Sequence, residues 1–209
     1  MVLSLFLLSP LCFSQNIIQT EIQGKKLNDF IQLENRLENK LFKTDENYVS
    51  VKPVFKPVIF ERKEKDIPNL LVFYYGYKKD SAIAEILYEW DVHNFDKGEN
   101  VKKAIAFNKA MIKKYLELIG EVSKKYGKSI REGNLDNLDL LNSSEGLHRS
   151  DEWKINDSIS ISANIDLSEH YERQGMMATV PTHKIRLYVM NEREEEDAGN
   201  ALSKEKIGL

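Results

Sequence analysis

Apolar and polar positions alternate most regularly from Ala82 to His93. There Ala82, Ala84, Ile86, Tyr88, Trp90 and Val92 fall on one side, and Ile83, Glu85, Leu87, Glu89, Asp91 and His93 on the other. A period of two predicts a strand with one packed face and one partly wet face. Leu70–Tyr77 predicts its partner, and Lys78-Lys79-Asp80-Ser81 supplies the turn of a hairpin. The alternation returns over Ser158–Leu167 and again over Met176–Met190, where Ile185, Leu187 and Val189 share a face. With Glu172-Arg173-Gln174-Gly175 as the turn, these predict a second hairpin.

Elsewhere the apolar spacing is three and four residues. Leu27, Phe30, Ile31, Leu37 and Leu41 predict a helix over residues 24–43. Val101, Ala104, Ile105, Met111, Ile112, Tyr115, Leu118, Ile119 and Val122 predict a second over residues 100–126, with lysines on its far side and Gly127 as a left-handed cap. Tyr48–Arg62 is rich in β-branched and aromatic residues. Pro53 and Pro57 interrupt it, which predicts an edge strand or an extended arm. Residues 128–156 read as a long polar connection, functional or loosely ordered. Residues 192–209 read as a charged, disordered tail. The expectation is an α+β fold: an antiparallel sheet of four to five strands (two β-hairpins plus an edge strand) with two main helices packed on one face. Residues 15–191 form its single domain, and no internal repeat is visible beyond the hairpins.

Composition changes this picture only at the N-terminus. Residues 1–14, MVLSLFLLSPLCFS, form an uncharged apolar run. It is shorter than the roughly 20 residues that span a bilayer, and it suits the apolar core of a secretory signal with Cys12 and Ser14 before the cut. Export to the periplasm or the extracellular space is therefore expected. Cys12 is the chain's one cysteine, so a processed chain has no disulfide and no thiol nucleophile. A net charge of −3 gives no argument for nucleic acid as a partner.

The candidate chemistry is sparse. Gly120–Ser129 ends in Gly-Lys-Ser, but six residues separate Gly120 from Gly127 where a phosphate loop has four, and the segment closes a helix instead of opening one. Glu85, Glu89, Asp91 and His93 line one side of a strand about 6–7 Å apart per step. That row suits a cation or an acid–base pair, and it is equally what a wet sheet face shows with no chemistry in it. His183 shares parity with Ile185, Leu187 and Val189, as a hydrogen-bonded structural histidine or a catalytic one would. Trp153 and Trp90, with Tyr74, Tyr75, Tyr77 and Tyr88, are candidates for ring stacking on a sugar or peptide, or for core packing. No zinc-ligand spacing occurs among the histidines, no nucleophile elbow exists, and no metal or cofactor is implied.

Phe13-Ser14-Gln15-Asn16, Tyr88-Glu89-Trp90-Asp91 and the stretch from Pro181 to Val189 resemble exported proteins of Bacteroidetes-type bacteria to which no activity is attached. The resemblance implies export and assigns no site residue. The functional expectation is a non-catalytic binding or accessory module for a protein, small-molecule or glycan ligand. Its surface would be the face with Glu85, Glu89 and Asp91, or the loop from His148 to Trp153. A small hydrolase using the carboxylates with His93 or His183 is one alternative. An inhibitor or immunity-type protein that binds another protein is the other.

Overall fold

A computed structural model describes residues 18–44 and 53–193. The expected signal at residues 1–14 and the tail from residue 194 lie outside the described residues. A first helix, α1 (Leu27–Arg36), is followed by strands β1 (Lys40–Leu41), β2 (Val58–Arg62), β3 (Leu70–Gly76) and β4 (Ile83–Asp91). A second, α2 (Ile105–Tyr126), is followed by β5 (Ile130–Asn134), β6 (Leu147–Lys154) and β7 (Ile159–Ser168). The short pair β8 (Glu172–Gln174) and β9 (Met177–Thr179) precedes β10 (Thr182–Asn191).

The main sheet corrects the expectation of four to five strands. It has eight, in the order β1-β2-β3-β4-β10-β7-β6-β5, with every neighbouring pair antiparallel. The missing strands have physical reasons for being hard to read. All five residues of β5 are exposed, so neither face imposes an apolar alternation. On β6 the inward positions are Leu147, Arg149, Asp151 and Trp153, and the two charged ones break the pattern. The connection expected over residues 128–156 therefore contains two strands of the sheet, β5 and β6. β2 lies between β1 and β3, inside the sheet, and Pro53 and Pro57 precede it.

The topology also contains a repeat that the hydrophobic pattern hides. Each half of the chain runs helix, short edge strand, then three strands in a meander: α1-β1-β2-β3-β4 and α2-β5-β6-β7-β10. The last strands of the two halves, β4 and β10, pair antiparallel at the centre. The two halves surface their open faces differently, which erases the likeness in sequence. Ile59, Leu71, Phe73 and Leu87 form an apolar cluster on the first half, whereas β7 presents Ser160, Ser162, Asn164 and Asp166.

Both helices cover the other face. One registered row, Phe60–Val72–Tyr88–Leu187–Ala163–Asp151, crosses six strands beneath them. Met111, Tyr115, Leu118, Ile119 and Val122 of α2 and Phe30 of α1 close the same core. Gly127 caps α2 at φ +87°, as its position after Tyr126 predicts. The helix begins at Ile105 and not near Asn100. Ala104 is extended, and the Lys103 N–H donates to Glu169 Oε2 at 2.7 Å. Likewise α1 ends at Arg36, and Glu38 turns the chain at φ +57° into β1.

Among the described residues, Gly133 is the glycine with the tightest surroundings. Its φ is +75°, and a Cβ there would lie 2.4 Å from the His148 carbonyl oxygen on the paired strand. Gly133→Ala should lower stability by about 1–3 kcal/mol, from left-handed strain and the forced separation of β5 from β6. A urea midpoint unchanged by this substitution would show that the close pairing of these strands does not contribute.

A candidate groove on the open sheet face

A bulge opposite Tyr75 and Gly76 breaks the expected parity at the start of β4 and sends Ile83 into the core. Beyond it Ile86, Tyr88 and Trp90 enter the core, and Glu85, Leu87, Glu89 and Asp91 reach the face without helices. Register sets what they meet: Glu85 lies between Tyr75 and Met190, Leu87 between Phe73 and Tyr188, Glu89 between Leu71 and Arg186, and Asp91 beside Lys184. Over this surface runs a groove of about 450 Å³. Phe73 and Leu87 form its apolar floor, and Tyr75 and Tyr188 flank it. Glu85 stands at one end and Glu89, Asp91, His93, Asn94, Lys97 and Arg186 at the other.

The charged end is built by a strand that stops on its own carboxylate. Asp91 accepts the His93 N–H at 2.8 Å and caps the short 3₁₀ turn Val92–Asn94. The turn brings Asn94 back so that its Nδ2 donates to Glu89 Oε1 at 2.8 Å. From β10, Arg186 Nε donates to the other oxygen of Glu89 at 2.5 Å, and Lys184 Nζ lies 2.9 Å from Asp91. Burial works against the charge on Arg186, but the facing Glu89 carboxylate outweighs it and holds the guanidinium protonated above its usual range. Burial, with help from Glu89 and Glu85, pushes the Tyr188 hydroxyl up, so it remains a neutral donor. The His93 ring is partly exposed, with Nδ1 3.5 Å from Asp91.

Glu85, Glu89, Asp91 and His93 therefore share one site. Each of Glu89 and Asp91 is engaged by a cation across the strand, an arrangement that fixes the positions of both carboxylates. Among the described residues no group of three or more His, Cys, Asp or Glu side chains is arranged to hold a metal ion.

The remaining candidates go elsewhere. Trp153 lies on the helix-covered side, its Nε1 donating to the Gly127 carbonyl at 2.9 Å. The segment from His148 to Trp153, expected to be a loop, is part of β6. Tyr74, Tyr88 and Trp90 are core residues, and of the aromatic set only Tyr75 reaches the groove. His183 is buried on the face opposite the carboxylate row, and its Nε2 lies 2.7 Å from Glu169 Oε1. A hydrolase built on His183 with those carboxylates lacks the geometry it requires.

Sequence reasoning missed Arg186, Tyr188, Lys97 and Asn94. A signal existed for the first two: Lys184, Arg186 and Tyr188 alternate with Ile185, Leu187 and Val189, so they face away from the core. Their register against β4 was not legible. Comparison of the chain with protein-family profiles, with curated proteins and with solved structures found no match.

Proposed function

We propose that this chain is an exported, non-catalytic binding module and that its ligand is of the glycan class, lying across the open face. One observation carries the reading: the groove joins aromatic walls at Tyr75 and Tyr188 to a rim of planar charged groups held in place by pairing. A sugar ring presents an apolar face that stacks on aromatic rings and a belt of hydroxyls that both donate and accept. Carboxylates accept, Arg186 and Lys97 donate, and a pre-paired rim loses little freedom on binding. The apolar run of residues 1–14 supports export.

The test is a thermal-shift screen of the purified protein against glycans, peptides, nucleotides and divalent metals, because any ligand of the native state raises Tm. A glycan hit should lose about tenfold in affinity by titration calorimetry on Tyr188→Ala, in line with ~1–2 kcal/mol for one stacked ring. A glycan that binds this variant as tightly as the native protein would place its site elsewhere. Hydrolysis of the bound glycan would overturn the non-catalytic part of the reading.

A further inference from the structure

β7 and β10 pair residue for residue from Asn191–Ile159 to Thr182–Ser168. Beyond that last pair the chain leaves the sheet as an arm, formed by β8 and β9 around a turn at Gly175. Residues 172–179 are all exposed, and the tip carries Met176 at 100% and Met177 at 77% exposure. The two roots of this arm are Glu169 and His183, and they are bonded to each other.

The bond belongs to a buried cluster reaching from the arm to the start of α2. Glu169 Oε1 accepts from Asn108 Nδ2 at 2.5 Å and lies 2.7 Å from His183 Nε2, and Oε2 accepts the Lys103 N–H at 2.7 Å. Phe107 sets its ring edge-on to the imidazole, centroids 5.7 Å apart, and the His183 side chain is 0% exposed. With Nε2 donating to a carboxylate, the free lone pair of the neutral ring sits on Nδ1, and Nδ1 is buried with no hydrogen-bond partner. A second proton must go there, where nothing accepts it. The charged groups that face the ring from its neighbours are Glu169 at the end of β7, Lys103 ahead of α2 and His93 after β4. Asp91 and Lys184 pair on the opposite face of the sheet.

We propose that Glu169, His183 and Asn108 form an acid-sensitive clasp that pins the root of the β8–β9 arm to the start of α2, and that protonation of His183 at Nδ1 opens it. The physical reason is the cost of burying an N–H donor with no acceptor, which the ring avoids by leaving its site for water. The shifts agree with the geometry. Burial holds His183 below its ordinary value of 6.5, with Lys103 and His93 adding repulsion, despite Glu169. Burial favours a neutral Glu169, yet the hydrogen bonds from Asn108, His183 and the Lys103 N–H outweigh it and hold the carboxyl below its usual value. Because the closed ring resists protonation and the open ring does not, the closed form loses ground as pH falls below about 6.5, by up to tenfold per pH unit until the ring's depressed value is reached. Opening frees the root of an arm whose tip is apolar and adaptable, as methionine-rich contact surfaces are.

Hydrogen exchange on the full chain tests this, read at the Lys103 amide and across residues 170–181 and corrected for the intrinsic pH dependence of exchange. The native protein should open up to about fivefold more between pH 6.5 and pH 5.5, while the β4–β10 core stays protected. His183→Gln keeps a neutral side-chain donor and should remove the pH response. Glu169→Gln should leave the arm open at both pH values. A pH-independent opening equilibrium in the native protein, or an undiminished response in His183→Gln, would overturn the proposal. Should the variants fail to fold, ring NMR of His183 in the native protein decides it. An imidazole titrating at or above its ordinary value sinks the clasp, and one titrating well below it as the Nε2–H tautomer supports it.

Discussion

Arg62→Ala should destabilise this protein by about 3–5 kcal/mol, the usual cost of leaving one partner of a buried ion pair uncompensated. Arg62 and Glu34 are both 0% exposed beneath α1. The guanidinium donates to both carboxylate oxygens, from Nε at 3.2 Å to Oε2 and from Nη2 to Oε1. The Tyr74 hydroxyl also donates to Glu34, and Asn39 Nδ2 donates to Oε2 at 2.6 Å. Burial works against the charge on Arg62, and the hydrogen bond to Glu34 with its carboxylate charge outweighs it and keeps the guanidinium protonated. Take Arg62 away, and Glu34 must remain charged in the core, take up a proton or drag water inside. A domain of ordinary stability, about 5–15 kcal/mol, loses a large share of it in each case. Replacing both members with apolar residues of similar volume, Glu34→Leu with Arg62→Met, should recover most of the loss. Urea unfolding measures both. A loss under about 1 kcal/mol in the single variant would show that water already shares the site.

Asp151→Ala should come second, at about 2–4 kcal/mol, because one carboxylate serves three partners in the other half of the core. It accepts from Arg149 Nε at 2.7 Å, from the Tyr115 hydroxyl at 2.8 Å and from Ser129 Oγ at 2.6 Å. Burial tends to raise its value. The bonds from Arg149, Ser129 and Tyr115 outweigh that and hold the carboxyl below its ordinary 3.8. A carboxyl depressed in the folded state stabilises the fold above its unfolded value and loses that contribution as pH falls through both. The native protein should therefore lose stability below about pH 4 through Asp151, on top of the loss below about 6.5 through His183. Asp151→Asn should flatten the lower limb and leave the upper one. An unaltered lower limb would assign acid sensitivity to other carboxylates.

These two networks explain why half of the sheet was readable and half was not. β7 and β10 alternate buried apolar residues with half-buried polar ones, so their periodicity reports their burial, whereas β4 alternates in residue type from Glu85 on but is buried along nearly all its length. α2 and its glycine cap were legible for the same reason. β6 puts Arg149 and Asp151 at core positions, tolerable only because Tyr115 of α2 and Ser129 arrive to satisfy them. A one-dimensional pattern cannot show a partner that is distant along the chain. β1 has two residues and β5 has no buried face, so neither carries a period at all. Charged, exposed residues along β5 blunt the sheet edge, which is a reason for that sequence unrelated to alternation.

The candidate site divides the same way. That Glu85, Glu89 and Asp91 share a side follows from local stereochemistry, since successive strand residues point to opposite faces, whereas His93 reaches the same groove from the 3₁₀ turn that follows the strand. The same parity turns Trp90 and Tyr88 into the core and places His183 with Ile185, Leu187 and Val189. Local sequence therefore specifies which side chains travel together. It does not specify the register of β4 against β10, which sets Arg186 on Glu89 and Lys184 on Asp91 and converts an acidic row into a neutralised rim. Nor does it carry the order of eight strands, or the meeting of Glu169 with His183 across the root of the arm. The register follows from how two similar halves pack along a shared central pair, where Arg186 and Glu89 meet from 97 positions apart, and the Glu169–His183 contact needs the β7–β10 pairing beneath it. No local propensity encodes such contacts; they form when the whole core excludes water at once.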